Sequence, residues 1–165
     1  MRKISVQQLT RAAIVGALYA ALTLLASAFG IAYGPVQFRL SEALCVLPFL
    51  FPETAWGLFV GCWVSNLISP YGVLDMVVGS LATLLAALWT AKCHRKWIAP
   101  LPPVICNGVL VGAVLAWQQS GSLQTFAPAF VMNGLSVALG EAVVCFGLGI
   151  LLLRAVEKSG ALGRR

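Results

Sequence analysis

Gln37, Arg39, Ser41 and Glu42 fall within Gly34–Leu44 of a 165-residue chain that otherwise avoids polarity. An arginine offers a fork of N–H donors, a carboxylate only acceptors, and a glutamine amide both. Together they could hold a polar small molecule through several hydrogen bonds. Asp75 and Glu141, with the amides of Asn66, Asn107 and Asn133, are the other isolated polar groups in apolar surroundings. Ionisable residues inside membrane segments are expensive, so they are functional candidates by default. Blander roles stand beside this one. Arg39 could pair with Glu42 in a solvated loop, and Ser41, Glu42 and Asp75 could serve helix N-termini.

The same residue types are not spaced for catalysis. No Ser/His/Asp set, metal cluster or activated nucleophile is discernible, and the one histidine, His94, stands in the basic run Lys92–Lys96. Cys45, Cys62, Cys93, Cys106 and Cys145 are odd in number and scattered singly. Their spacing fits neither a zinc site nor a redox pair, so they are assigned packing roles only. No Gly-x-x-x-x-Gly-Lys-Ser/Thr loop is present, so ATP is not gripped by that route. No cofactor is expected in this chain, and work would draw on another subunit or an ion gradient.

Composition dictates what must position these groups. The chain is 60% hydrophobic and 10% charged, with a mean hydropathy of +0.92. A soluble domain is about a quarter charged, so this is a membrane protein. Charge-free runs at Ala12–Phe38, Thr54–Leu74, Met76–Ala91 and Trp97–Gly140 predict one domain of six helices near 9–29, 40–51, 53–69, 74–92, 100–118 and 127–154. The second is a half-span: twelve residues rise only about 18 Å against a hydrocarbon core of ~30 Å, and Pro48 and Pro52 interrupt it. Lys and Arg set the topology. Arg2, Lys3 and Arg11, then Lys92, Arg95 and Lys96, then Arg154, Lys158, Arg164 and Arg165 all fall on one side of a six-span bundle. Both termini are therefore expected in the cytoplasm, and the net charge of +6 is a topology signal, not a nucleic-acid footprint. A cleaved leader is not expected, because the first apolar run is too long and lacks a clear small-residue cleavage site.

Along the chain, Ala13, Ala17 and Ala21 recur every fourth position beside Ala12, Gly16 and Ala20, a face that lets another helix come close in lipid. The partner could be a helix of this bundle or of another protein. Pro52-Glu53 has the chemistry of a helix start, Ser69-Pro70-Tyr71-Gly72 that of a tight turn, and Gly79, Thr83 and Ala87 form a second close-packing face. Asp75 shares a membrane level with Arg39, Glu42 and Asn66. Glu141 lies roughly 20 Å deep in the last helix, level with Asn107. A buried Glu141–Asn107 hydrogen bond is expected, with direct ligand contact as the alternative.

Gly34-Pro35-Val36-Gln37-Phe38-Arg39-Leu40-Ser41-Glu42-Ala43-Leu44 through Leu47-Pro48-Phe49 resembles the hallmark of the QueT family. So do Pro70, Gly72 and Leu74-Asp75 with the run Gly79 to Ala87, Asn107 with Val111-Gly112, and Gly140-Glu141-Ala142 with Cys145. The resemblance covers most of the chain. It implies a six-helix substrate-binding S-component of an energy-coupling factor (ECF) importer, taking up a queuosine precursor in a bacterial cell membrane. It also implies partners, a transmembrane coupling protein and a pair of ATPases that use the ATP, and it makes Ala13, Ala17 and Ala21 the docking face. A 7-deazaguanine ligand has a donor edge that a carboxylate can meet, and an aminomethyl substituent would call for a second acid. Which of Glu42, Asp75 and Glu141 does which is open at this level. The chain is thus expected to capture a substrate and not to be an enzyme. The alternatives are an S-component for another vitamin-like molecule, a stand-alone ion-coupled carrier using Glu141, and a structural membrane subunit.

Overall fold

The computed structural model describes residues 5–30 and 38–159, and within them every regular element is helical. Helix α1, Val6–Ala28, opens on a capping box in which Ser5 and Gln8 exchange side-chain to backbone hydrogen bonds, satisfying two amides that the first turn leaves free. A 3-10 helix follows at Leu40–Phe49 and is buried from Ser41 to Pro48. Ten residues at about 2.0 Å rise cover only ~20 Å, so the expected half-span is present, wound as a 3-10 helix. Helix α2, Thr54–Ser65, runs into a 3-10 turn at Asn66–Ile68. Helix α3 is Gly72–Thr90 and α4 is Leu101–Gln119. Helix α5, Leu123–Ala142, continues through a π-helical segment, Val143–Gly149, into α6, Ile150–Lys158.

Four stretches are long and apolar enough to cross a membrane: Val6–Ala28, Gly72–Thr90, Leu101–Gln119 and the continuous Leu123–Lys158. With the short apolar helices Leu40–Phe49 and Thr54–Ile68 they make up the six expected. Two bounds differ from expectation. Thr54–Ile68 rises about 22 Å, shorter than a full span. The last helix starts at Leu123 and not near 127, because the Ser122–Thr125 capping box nucleates it and Pro128 is carried inside.

Polarity is arranged as lipid requires. Leu18, Leu25, Val60, Leu85, Val131, Met132, Leu135 and Leu139 are exposed, while Thr23, Ser65, Ser80, Thr83 and Thr90 are buried with the charged residues. Lipid tails are as apolar as leucine, so the helices associate through close contact between small residues. At the α1–α2 crossing, a Cβ on Gly57 would stand 1.9 Å from the Ala12 carbonyl oxygen, and one on Gly61 2.4 Å from that of Gly16. The α4–α5 crossing repeats this, with a Cβ on Gly112 falling 2.6 Å from Gly134 Cα.

The basic residues gather at one end. Arg11 lies 3.5 Å from Glu53 and over the Phe51 ring, Lys96 is 2.5 Å from Glu157, and Arg154 covers Trp97. Ala99, Leu153, Phe49 and Leu50 pack together beneath them. Arg39 and Asp75 occupy the opposite half, near the turn where Gln118 Nε2 donates to the Tyr71 carbonyl at 2.6 Å.

Candidate functional site

Arg39 caps the 3-10 helix and is only 6% exposed. Its guanidinium reaches Asp75 Oδ2, in the first turn of α3, at 3.6 Å. The pairing of Arg39 with Glu42 considered from the sequence is thus replaced: the facing helix α3 supplies the carboxylate, while Glu42 is taken up by Tyr19 and Cys45. Ser69 Oγ donates to the same Asp75 oxygen at 2.5 Å, and Asn66 Nδ2 to the Asp75 carbonyl at 3.4 Å. Gly79, one turn further on, makes room for this pair. A Cβ there would sit 3.1 Å from Asn66 Nδ2 and 3.2 Å from Asp75 Oδ1.

Glu42 faces the other way, into the bundle. The Tyr19 hydroxyl donates to its Oε1, and Cys45 Sγ lies 2.9 Å from its Oε2. Thr23, one turn along α1 from Tyr19, is 2.7 Å from the Ser41 hydroxyl. The π-helical segment turns Cys145 inward, 3.3 Å from the Glu42 carbonyl and 3.6 Å from Glu141 Oε2. Asn107 Nδ2 donates to Glu141 Oε1 at 2.8 Å, the bond expected from their common depth. Asp75–Arg39 and Glu42–Cys145–Glu141–Asn107 are therefore two segments of one buried polar chain, joined through the backbone by the Glu42 N–H donating to the Arg39 carbonyl at 3.0 Å.

Two properties of this chain point to a ligand. First, three carboxylates, Glu42, Asp75 and Glu141, are buried with one guanidinium, Arg39. Second, Asn66 Oδ1, Asp75 Oδ1 and Asn107 Oδ1 are buried without a hydrogen-bond partner. Each such atom costs about 1–3 kcal/mol, and each is an acceptor. A ligand rich in N–H donors would relieve all three. Among the described residues, no group of three or more His, Cys, Asp and Glu is placed to hold a metal ion.

The structure thus brings together Arg39, Glu42, Asn66, Asp75, Asn107 and Glu141. Asn133 stands apart. Its amide bonds Gln119 Oε1 at 2.8 Å and the Ala129 carbonyl at 2.9 Å, joining α4 to α5. Gln37 lies outside the described residues. Tyr19, Cys45, Ser69 and Cys145 belong to the site and were missed. For Tyr19 the signal was available: Ala12, Val15, Gly16, Tyr19, Thr23 and Ala26 form one buried face, and Tyr19 is its bulky polar member. Ala13, Ala17 and Ala21 are exposed. Ala13 and Ala17 line an apolar groove of about 460 Å³ whose far wall is Trp56, Val60 and Val64.

Comparison with known proteins places this architecture. The profile of the QueT transporter family matches residues 9–158. The chain belongs to that family. It is 38% identical over 85 residues to the queuosine precursor transporter QueT of Lactococcus lactis subsp. cremoris (strain MG1363), a match that spans 52% of this chain and 50% of the relative. No solved structure matches it significantly. Membership in a transporter family agrees with the sequence reading that the protein is not an enzyme. The matched region runs from α1 to the end of α6, so it contains the whole buried chain from Tyr19 to Cys145.

Proposed function

We propose that this chain is the substrate-capture S-component of an ECF-type importer, and that it binds a queuosine precursor of the 7-deazaguanine type. The observation that carries the reading is the buried acid-rich chain, in which three acids and three unpartnered oxygens sit inside a lipid-facing bundle. A guanine-like edge is a run of N–H donors, the complement of such acceptors. The name of the Lactococcus relative supplies the substrate class. In this reading both termini are cytoplasmic in a bacterial cell membrane, since the basic end of the bundle takes the inner side. The polar half then faces outward. The alanine stripe of α1 docks on a transmembrane coupling protein, and its associated ATPases use the ATP. The exposure of Ala13, Ala17 and Ala21 beside an apolar groove supports this docking.

The test has two arms. The purified chain in detergent should bind a 7-deazaguanine base by calorimetry. Uptake of that base by cells should require a co-expressed coupling protein and ATPase pair. Uptake without any need for the ATPase module would favour a stand-alone carrier, for which the buried Glu141 carboxylate is the available ion site. No binding of any 7-deazaguanine would remove the substrate assignment.

A further inference from the structure

The three buried acids are not equivalent. Asp75 has a charged partner in Arg39 at 3.6 Å and a hydroxyl donor in Ser69 at 2.5 Å. Glu42 receives Tyr19 on one oxygen and Cys45 on the other. Glu141 has the Asn107 amide on Oε1, while Oε2 meets only the Cys145 thiol at 3.6 Å. A thiol is a weak donor, and that contact is long. Glu141 is thus the acid with the least compensation, although it is 6% exposed and sits inside an apolar bundle.

Beside it stands an independent sign of a missing donor. Asn107 spends its N–H on Glu141 and leaves Oδ1 buried with no partner, at a residue only 3% exposed. One side of this pair is a carboxylate oxygen and the other a neutral amide oxygen. A group that satisfies both must carry at least two N–H donors, and it must be positive to compensate the carboxylate. A primary ammonium has three donors, no acceptor and one charge. A nitrile has no donor and brings an acceptor to acceptors, which repels.

We infer that Glu141 and Asn107 form an ammonium subsite, so that the chain selects a cationic ligand over a neutral one of the same shape. This rests on the reading given under Proposed function and adds to it the charge of the substrate. The Arg39–Asp75–Asn66 group then meets the base's polar edge. The ammonium takes the place of the Cys145 thiol at Glu141 Oε2.

The test compares two probes of one skeleton, 7-aminomethyl-7-deazaguanine and 7-cyano-7-deazaguanine, on the full chain and on Glu141→Gln. The glutamine keeps the volume and an oxygen for Asn107 Nδ2, and a thermal melt confirms folding. The expected result is that the wild-type chain binds the aminomethyl probe about 10- to 100-fold more tightly, the range for a charge-assisted hydrogen bond. Glu141→Gln should bring the two probes to within about threefold by weakening only the aminomethyl one. Equal binding of both probes by the wild type, or preference for the cyano probe, overturns the inference while the substrate class stands. Discrimination that survives Glu141→Gln also overturns it, by placing the cation elsewhere. If neither probe binds, the substrate class itself fails and the subsite with it. If the variant does not fold, the wild-type comparison still overturns the inference when the aminomethyl probe is not preferred.

Discussion

On α1, Ala12 and Gly16 are buried against α2, whereas Ala13 and Ala17, one position further along, are exposed. The residues are all small and the two rows are parallel. One row is closed by the glycines of α2, whose missing Cβ atoms bring the backbones into contact. The other is bounded by Trp56, Val60 and Val64, which stand apart and leave a groove. Small residues alone therefore do not name their partner. What faces them does, and in this helix two small-residue rows have two different fates. The buried row also continues into Tyr19 and Thr23, so the face that packs α1 is the face that builds the site.

Substitutions on the two faces should separate folding from function, and their effects on the stability of the isolated chain can be ranked. Gly57→Leu comes first. Its Cβ would meet the Ala12 carbonyl oxygen at 1.9 Å, backbone against backbone, and overpacking with no flexible neighbour should cost more than about 3 kcal/mol. Size-exclusion chromatography in detergent should show loss of the monodisperse species, and a normal elution profile would mean that α1 and α2 can separate freely. Tyr19→Phe is next. It removes the hydroxyl donor to Glu42, and a hydrogen bond to a buried carboxylate is worth about 1.5–3 kcal/mol. The thermal midpoint should fall while the elution profile stays normal. Thr23→Val deletes the 2.7 Å contact with Ser41 and should cost about 1 kcal/mol, visible as a smaller drop in the same melt.

Ala17→Trp ranks last on this scale and highest in consequence. The side chain enters an open apolar groove, so stability should stay within about 0.5 kcal/mol of wild type and ligand binding by the isolated chain should be unchanged. Uptake and co-purification of an ATPase module should be lost. Lost binding would place the exposed row inside the bundle's own packing, and unchanged uptake would leave it facing lipid.

Much of this was legible from the chain. The apolar runs mark the long helices because a span must satisfy its backbone internally, and the depth of Glu141 and Asn107 follows from helical rise. What depth does not give is direction around the axis. Asn133 lies eight residues before Glu141, which at 3.6 residues per turn is about 80° away, enough to send it to Gln119 and out of the buried chain. Arg39 was level with both Glu42 and Asp75 in sequence terms, and only the packing of α3 on the 3-10 helix decides between them. Cys145 lies four residues after Glu141 and so on the same helical face, but a lone cysteine reads as a small hydrophobe, and the π-helical turn at Val143–Gly149 that carries it has no simple composition. The 3-10 winding of Leu40–Phe49 was hidden likewise, since a ten-residue, mostly apolar segment with Pro48 inside it is compatible with any short helix.

The apolar exterior of the bundle has a calorimetric consequence. In a soluble domain, unfolding exposes buried apolar surface to water and raises the heat capacity by about 12–15 cal/mol/K per residue. Here Leu18, Leu85, Leu135 and Leu139 are already outside, solvated by lipid before and after the helices part, while the groups uncovered by separation include Thr23, Thr83 and Asn107. In a bilayer, then, separation of these helices should carry a heat-capacity change far smaller than that of a water-soluble chain of the same length. Its stability should fall almost linearly with temperature, without the dome that gives soluble proteins a cold limit.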